Sequence, residues 1–321
     1  MTAQNATTAT DTRGDRLSPP TRRVIGILEL LGARPDRSWT LAEIARELGL
    51  VPSTALAILN ELRYSALVIR DETDKSYTPG PALLALGMAA DARFPALRTL
   101  AHELGPLVKA LGYGCSIHMR DHDGLVMAHR FGPSERFVET VIGIRYPFAP
   151  PYGLLFAAWA PDEVRDAWLA RTTRVTRHTD LAGLMAETRR RGYGVEGTGL
   201  LSRGVVRSVE EDANGKADRP PRADELVDAV LGDREYGIGP IAGDHTYAVG
   251  LIGAPVFDSS GHTRFMVFLH IGGEALRGEA INVIGVELAA RTAETTRRLR
   301  GAFPHSYPAS GAPSRTSAEQ Y

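Results

Sequence analysis

Cysteine is almost absent from this sequence of 321 residues, in which Cys115 is the single thiol. A chain with one cysteine cannot close an internal disulfide, and it cannot supply the paired thiolates of a CxxC zinc site. Such a content is typical of proteins in a reducing compartment. We therefore expect a cytoplasmic protein whose stability comes from a packed core.

The sequence also lacks long apolar runs, and its net charge is close to zero. No segment approaches the roughly 18 apolar residues that span a bilayer, and residues 1–20 contain no apolar stretch of the secretory type. The formal net charge of −1 provides no global basic field, so affinity for nucleic acid must come from a local patch. With 43% hydrophobic and 23% charged residues, the composition fits two ordinary globular domains without a membrane partner.

The common catalytic motifs GxSxG, HExxH and the Walker loop are missing as well. Histidines and carboxylates do cluster in CSIHMRDHDGLVMAHR, where Cys115 with His118 or His129 is an alternative thiol–imidazole pair. The same segment offers potential metal ligands, namely His118, Asp121, His122 and Asp123. Because DHDG is a good turn sequence between two strands, we interpret the segment as a hairpin. We predict no enzyme, no metal site and no cofactor.

A capped helix is predicted to begin at Thr40, in the segment TLAEIARELGLVPSTALAILNEL. Thr40 and Glu43 have the spacing of a capping box, and Gly49 ends this helix before the next begins at about Pro52. An earlier helix in TRRVIGILELLGAR has apolar residues at helical spacing, namely Val24, Ile27, Leu28 and Leu31. The third helix is expected to pack through Ile58, Leu59 and Leu62. This arrangement predicts a helix-turn-helix.

After Ser65 the apolar period changes from that of a helix to that of a strand. Two short strands in ALVIR and KSYTPG, separated by the acidic turn DETD, make the helix-turn-helix a winged one. We place this domain at residues 19–80, after a disordered segment 1–18. Residues 81–98 are predicted to form a linker helix that is interrupted at Pro95.

Strands and helices alternate in the second domain, at residues 99–300. CSIHMR with LVMAHRFG, and later YAVGLIGAPVF with HTRFMVFLHIGG, predict hairpins, and ERFVETVIGIRYPF predicts further strand. Helices are predicted in GLLFAAWAPDEVRDAWLA, in DLAGLMAETRRRGYG with Asp180 as N-cap, and in ALRGEAINVIGVELAARTAETTRRLR. The fold class is α+β with a mixed or antiparallel sheet. Residues 196–246 are interpreted as an insertion and residues 301–321 as a disordered tail.

Several motifs, taken in order, resemble the IclR (isocitrate lyase regulator) family of bacterial transcriptional regulators. RVIGILELL, TLAEIARELGL, PSTALAILNEL and YTPGPALLALG are similar to its winged helix-turn-helix and linker. RYPFAPPYGLLFAA, DLAGLMAETRRRGYGV and GAPVFDSSG are similar to its effector domain. The resemblance covers about Arg22 to Arg298. It implies a cytoplasmic dimer or tetramer that binds double-stranded DNA, with a GAF-like C-terminal domain that binds a small molecule.

The recognition helix departs from the family pattern, which commonly reads Pro-Lys-Ser-Thr-Ala-His-Arg. Pro52, Leu56 and Ala57 replace the Lys, His and Arg, so an arginine cannot read guanine from position 57. Contacts to base edges or thymine methyl groups are therefore expected from hydroxyls, one amide and small apolar side chains, namely Ser53, Thr54, Ala55 or Ala57, and Asn60. Phosphate contacts are expected from basic residues, namely Arg22, Arg23, Arg63, Arg70 and Lys75.

Thr40 completes the predicted DNA-binding set. The acidic wing turn argues against tight DNA binding. Each of the basic residues is alternatively an ordinary solvated surface residue. A degenerate regulator that binds DNA weakly and acts through protein contacts therefore stays open as an alternative.

The effector domain departs from the family pattern in a similar way. Where the family often has Pro-Met-His-Ala-Ser-Gly-x-Gly-Lys, this chain has PFAPPYGL without the His and Lys. The resemblance suggests a pocket for an apolar or aromatic ligand, formed by Arg145, Phe148, Tyr152, Glu196, Leu251, Leu269 and Ile271. Glu196 and Arg145 are its candidate polar anchors. Alternation places Phe265, Val267, Leu269 and Ile271 on one strand face, where all four are alternatively core; we favour core for the first pair and pocket for the second.

Overall fold

A computed structural model of the chain describes residues 18–34, 36–121, 124–133, 142–143, 145–150, 152–171, 179–197 and 237–308. The chain divides into two compact units, residues 1–90 and 91–321. Most of the expected N-terminal disorder, the centre of the predicted insertion and the end of the predicted C-terminal tail lie outside the described residues, as does most of the strand predicted in ERFVETVIGIRYPF.

The first unit is a winged helix-turn-helix. Its elements are α1 (Pro19–Ala33), α2 (Leu41–Glu47), α3 (Pro52–Tyr64), β1 (Val68–Arg70), β2 (Tyr77–Pro79) and the start of α4 (Ala82–Arg93). The two strands pair antiparallel, with Ile69 opposite Thr78. The predicted order of three helices and a hairpin is confirmed.

The cap predicted at Thr40 fixes the start of α2. The Thr40 hydroxyl accepts a hydrogen bond from the backbone N–H of Glu43 at 3.3 Å, and the Glu43 carboxylate accepts one from the Thr40 N–H at 2.8 Å. The Thr40 N–H and hydroxyl, which both donate to the Glu43 carboxylate at 2.8 Å, and the Arg37 guanidinium lower the pKa of Glu43 to about 2. Gly49, with φ of 61°, then turns the chain toward α3 in a conformation that suits glycine.

Apolar residues from all three helices and the wing form the core of the first unit. Its buried members are Ile27, Leu31, Trp39, Ile44, Leu59, Leu62, Val68 and Tyr77. Trp39 and Tyr77 also exchange backbone hydrogen bonds of 3.1 and 2.8 Å, which join the chain before α2 to the second wing strand. The wing is thus anchored to the helices.

The predicted linker is two helices. The first, α4, ends at Arg93, and α5 (Pro95–Leu111) extends well past the predicted end of the linker at residue 98. The break follows from Pro95, which has no N–H to donate and forces Phe94 out of the helical region, to φ −121° and ψ 54°.

The second unit contains one six-stranded antiparallel sheet. Its strands are β3 (Gly114–Asp121), β4 (Gly124–Phe131), β5 (Arg145–Pro147), β6 (Gly194–Gly197), β7 (Thr246–Phe257) and β8 (Thr263–Arg277), in the order β5-β4-β3-β8-β7-β6. The remaining helices are α6 (Leu154–Ala158), α7 (Asp162–Leu169), α8 (Leu181–Arg191) and α9 (Gly278–Arg298). The predicted α+β class is confirmed, with antiparallel pairing at each described interface.

The two faces of this sheet carry different side chains. The α5/α9 face packs against α5 and α9 through residues that include Cys115, Ile117, Val267, Leu269 and Ile271. The opposite face, here called the site face, carries the alternate residues, which include Ser116, His118, Leu251, Phe268 and His270. Helices α6, α7 and α8 contribute to a second apolar cluster with Met266 and Phe268 of this face.

Several predicted boundaries in the second unit are wrong. Ala275–Arg277 complete β8, so the last helix begins only at Gly278. Residues 301–308, predicted as disordered tail, pack through Tyr307, whose ring lies 5.2 Å from Phe257 and 6.2 Å from Trp159. Proline and serine content suggested disorder, but Tyr307 buries its ring in this aromatic cluster and is only 7% exposed.

Both ends of the predicted insertion at residues 196–246 belong to the fold. Glu196 and Gly197 lie in β6, and the Ile238 N–H donates to the Val195 carbonyl at 3.0 Å. The Arg191 guanidinium, at the end of α8, donates to the carbonyls of Gly239 and Ile238 at 2.8 and 3.2 Å. The segment that follows residue 237 is therefore fixed beside β6.

Candidate DNA-binding and effector-binding sites

Helix α3 has one buried side and one exposed side. Ala55 and Leu59 are fully buried, and Leu62 is nearly so. Ser53, Ala57 and Asn60 are exposed on the opposite side, and Thr54 is half-buried. Ala55 therefore cannot contact a thymine methyl group, and that alternative is wrong because its side chain packs inside the domain.

The first turns of α1 and α3 border a cleft of about 530 Å³. Its lining residues are Pro20, Thr21, Arg23, Val24, Ser53, Thr54, Ala57 and Ile58. The structure thus brings together Arg23, Ser53, Thr54 and Ala57 of the predicted set. Both helices begin with proline, which has no N–H, so the two N-termini favour a bound phosphate mainly through the positive ends of their helix dipoles.

The other predicted cations have more varied surroundings. Arg63 is exposed, and the Arg70 guanidinium lies 5.8 Å from the centre of the Tyr77 ring. Arg22 is half-buried, and its charge partly offsets the effect of burial, which raises the pKa of Glu29. Lys75 forms an ion pair with Glu72 at 3.2 Å within the wing turn.

The acidic wing turn uses its carboxylates for its own structure. Asp71 accepts hydrogen bonds from the N–H groups of Thr73 and Asp74 at 2.6 and 3.3 Å, and Asp74 accepts one from Ser76 at 2.8 Å. These carboxylates stabilise the turn, as Asx-type side chains commonly do. Likewise, the Thr40 hydroxyl is engaged in the cap of α2, which gives this residue a structural role.

A compact group of buried polar side chains lies on the site face. The Ser116 hydroxyl oxygen is 2.7 Å from Nε2 of His270 and 3.0 Å from Nε2 of His118. A hydroxyl has one proton, so at least one of the two imidazole Nε2 atoms must donate to it. Burial lowers the pKa of His118 to about 3, helped by His270, and that of His270 to about 4. Both imidazoles are therefore neutral at pH 7.

Glu196 belongs to the same face of the sheet. Register places Glu196, Leu251 and His270 side by side on three neighbouring strands. Glu196 is 5% exposed, and burial raises the pKa of its carboxyl to about 8. The site face therefore presents a protonated carboxyl at neutral pH.

Aromatic rings surround this polar group. The His118 ring lies 5.2 Å from Phe268 and 6.0 Å from Tyr146, and Tyr146 lies 5.4 Å from Tyr152. Burial raises the pKa of Tyr152, and the neighbouring Tyr146 and Glu196 raise it further. The charge of Glu196 therefore acts on Tyr152, and aromatic rings adjoin the His118 end of the polar group.

Two glycines allow α6 to approach the site face closely. Gly194 and Gly253 are paired across β6 and β7, in the same row as Phe268 and Ser116. A Cβ atom on Gly194 would lie 2.0 Å from a methyl group of Leu155, and one on Gly253 would lie 2.5 Å from the other methyl group. A side chain at either position would displace Leu155.

Some residues of the predicted effector set lie together and others do not. Tyr152, Glu196 and Leu251 belong to the site face or border it. Phe148 is buried in the adjoining apolar cluster, with the Arg120 guanidinium 4.3 Å from the centre of its ring. This group is the candidate effector site.

Three predicted effector residues are misplaced. Leu269 and Ile271 are on the α5/α9 face, where they are at most 1% exposed, so the core alternative is the right one for both. Arg145 pairs with Val126, on the face opposite to that of Glu196, and its guanidinium binds Asp121 at 2.7 Å at the sheet edge. In β8 most residues on both faces are apolar or aromatic. The sequence of the strand therefore does not reveal which face packs against the helices.

Sequence reasoning missed Ser116, Tyr146 and His270 of this site, and it considered His118 only as a partner of Cys115 or as a metal ligand. A signal was present, because Ser116 and His118, and likewise Phe268 and His270, stand two positions apart on buried strands. That spacing places each pair on one face.

The alternative thiol–imidazole pair does not form between Cys115 and His118. Cys115 points to the α5/α9 face, whereas His118 points to the site face. Burial raises the pKa of the Cys115 thiol, which disfavours a thiolate. His129 pairs with Ile117 across β3 and β4 and is half-buried. His122 and Asp123 lie outside the described residues.

A comparison with protein-family models agrees with the winged helix-turn-helix fold of the first unit. The family model of the IclR helix-turn-helix domain matches residues 20–72. Residues 20–72 are an IclR helix-turn-helix domain. This match spans α1 to the start of the wing, including the whole of α3. The comparison with curated protein sequences gives no match.

Solved structures of IclR regulators share the fold. The Thermotoga maritima IclR has 19% identity and a TM-score of 0.55, over 87% of this chain and 98% of that one. A regulator from Alicyclobacillus acidocaldarius has 18% identity and a TM-score of 0.54, over 88% and 99%. An IclR homologue from Microbacterium hydrocarbonoxydans, complexed with 4-hydroxybenzoate, has 18% identity and a TM-score of 0.51, over 87% and 99%.

These comparisons confirm the IclR resemblance. Residues 20–72 match the IclR helix-turn-helix domain, and the chain shares the fold of solved IclR regulators. Among the helices that the structure describes, none is both long and apolar enough to cross a membrane.

Proposed function

We propose that this IclR-type regulator binds operator DNA through α3 and the first turn of α1, and binds a small aromatic effector on the site face. The observation that carries the DNA-binding part is the cleft between α1 and α3, where Arg23, Ser53 and Thr54 meet at two helix N-termini. The N-terminal residues of a recognition helix are the ones that enter the major groove in this class of domain. Arg63 and Arg70 supply further phosphate contacts in this proposal.

A salt series of fluorescence anisotropy on the DNA upstream of the chain's own reading frame tests this binding. The affinity should fall as salt rises, and Arg23→Ala should reduce the slope of log K against log salt by about 0.9, the value for one phosphate contact. Arg98→Ala is the matched control, because Arg98 is exposed in the second unit and pairs with Asp91 at 2.7 Å. An absence of specific binding at low salt would contradict the proposal and favour a regulator that acts through protein contacts.

The effector proposal rests on the juxtaposition of buried polar groups and aromatic rings. Ser116, His118, His270 and Glu196 provide hydrogen-bond donors and acceptors without a fixed charge at neutral pH, beside Tyr146 and Tyr152. This arrangement suits an aromatic ring with a polar substituent better than a purely apolar ligand. The 4-hydroxybenzoate complex of the Microbacterium hydrocarbonoxydans homologue supports a ligand of this class.

Thermal-shift measurements with 4-hydroxybenzoate, benzoate and pyruvate test the effector class. An aromatic acid at ~100 times its dissociation constant should stabilise the protein by about 2.7 kcal/mol. Ser116→Ala should reduce that shift, because it removes the hydroxyl shared by both imidazoles, whereas Ser260→Ala, at an exposed turn, should not. A shift with pyruvate alone would contradict an aromatic effector.

A second copy of the chain is the proposed partner of α4. No residue of this helix is buried, and Leu84, Leu86 and Met88 are 70%, 62% and 74% exposed. A helix with apolar side chains exposed on every side needs a covering surface. A two-fold pairing with the same helix of a second chain supplies an equally apolar surface and presents two recognition helices to DNA.

A further inference from the structure

We propose that Leu56 reads thymine methyl groups in the major groove, so that the operator is specified by methyl contacts where other DNA readers use guanine contacts. The inference rests on the proposed DNA binding and names the base class that α3 recognises. Leu56 is 40% exposed although it is aliphatic and belongs to the middle of a well-packed helix. The side chain is therefore accessible to a duplex that lies along α3.

The exposed side of α3 is uncharged over its first two turns. From Val51 to Asn60 the sequence is VPSTALAILN, and the first charged residues that follow are Glu61 and Arg63. Side chains in these turns are the ones that approach base edges when a recognition helix enters the major groove. Readout by a charged side chain is therefore unavailable where base contacts are made.

Helical spacing puts Leu56 within the exposed strip. Pro52 and Asn60 are four positions before and after it, and Arg63 is seven positions after it, so the four side chains follow one flank of the helix. Ser53 and Ala57 form the adjacent centre of the strip and are exposed as well. A duplex contacting Ser53 and Asn60 would thus also meet the Leu56 side chain.

The chemistry of the groove determines what an aliphatic side chain can contact there. Bases expose hydrogen-bond donors and acceptors in the major groove, and the C5-methyl of thymine is the apolar group among them. A leucine packed against a hydrogen-bonding base edge would remove water from that edge. It would offer no hydrogen bonds to replace those that the water made. A thymine methyl group is the contact that avoids this cost.

A protein partner is less compatible with this surface. Polar side chains, namely Ser53, Asn60 and Arg63, interrupt the exposed apolar residues around Leu56, whereas protein-binding patches are continuous apolar surfaces of a few hundred Å². Arg23, Ser53 and Thr54 in the neighbouring cleft favour a polyanion beside this strip. We therefore assign Leu56 to DNA.

Removal of single methyl groups from the DNA tests the assignment. The full chain first selects its preferred site from a random duplex library, and that site is remade with deoxyuridine in place of thymidine at one position at a time. Wild-type protein should bind at least one such duplex about fourfold more weakly, the effect expected for one buried methyl group. Leu56→Ala should bind the thymidine and deoxyuridine versions equally, and Leu56→Met should retain a difference.

Val283→Ala is the matched control, because Val283 is an aliphatic residue of α9 that is 70% exposed. It should keep the full difference between the two duplexes. Equal wild-type affinity for every deoxyuridine duplex would overturn the inference, as would an unchanged methyl effect in Leu56→Ala. Failure to select any site would instead contradict the proposed DNA binding itself.

Discussion

Single residues show how strongly burial changes the chemistry of this protein. Nothing in the sequence indicates that Glu196, His118 and His270 have shifted pKa values. Within the sheet, however, the Glu196 carboxyl is protonated and both imidazoles are neutral at pH 7. The cause is desolvation, which disfavours the charged form of each group. Neutral donors and acceptors of this kind can form hydrogen bonds with the polar substituent of a ligand.

Stability should fall with rising pH because of Glu196. Its folded-state pKa, about 8, is above the ordinary value of 4.5, so the stability is complete below pH 4.5 and is lost as the pH rises toward 8. The limiting slope is about 1.4 kcal/mol per pH unit. His118 and His270 have lowered pKa values and act in the opposite direction as the imidazoles of the unfolded chain titrate around pH 6.5, so the comparison with Glu196→Gln from pH 6.5 to 8 isolates Glu196.

Urea unfolding of wild type and Glu196→Gln across that window measures the effect. The free energy of unfolding of the wild type should decrease toward pH 8, whereas that of Glu196→Gln should be flatter. Parallel curves for the two proteins would show that Glu196 is not protonated in the folded state.

At the scale of elements, the start of α2 is determined locally. Thr40 and Glu43 form the capping box that their spacing predicts, and no distant contact is needed for it. The break at Pro95 and the N-cap at Asp180, whose carboxylate accepts from the Gly183 N–H at 2.8 Å, are equally local and equally well predicted. Helix ends that carry a cap or a proline are therefore the part of this fold that could be read most directly, whereas the start of α9, which has no side-chain cap, was predicted wrongly.

Removal of this cap should loosen α2. Thr40→Ala is expected to cost about 1 kcal/mol, because the N–H of Glu43 loses its acceptor. Amide hydrogen exchange at residues 43–47 should accelerate roughly fivefold as a result. Thr40→Ser keeps the hydroxyl and should exchange like the wild type. Equal protection in Thr40→Ala and wild type would contradict a stabilising cap.

At the scale of the whole molecule, each unit has its own core and its own candidate site. The exposed strip of α3 belongs to the first unit and the polar group on the site face belongs to the second. The exposed apolar side chains of α4, in the segment where the first unit ends, are the feature that neither core explains.

Self-association should therefore depend on α4. Leu84→Glu with Met88→Glu places two like charges four residues apart in the proposed contact and should shift the sedimentation of the chain toward a smaller species. Val283→Glu, at an equally exposed position of α9, should leave the sedimentation unchanged. An unaltered assembly in the α4 variant would place the contact elsewhere.

The sequence by itself determined the local features of this protein. Periodicity, caps and turn residues predicted the winged helix-turn-helix, and motif order showed a resemblance to the IclR family, because these signals depend on neighbours along the chain. The tertiary structure alone decided which face of the sheet meets α5 and α9. That choice put Leu269 and Ile271 in the core, brought Ser116 to His270 across 154 positions of sequence, and ordered Tyr307 against Phe257. Alternation gives each strand two faces, but only packing against other elements determines which one is buried.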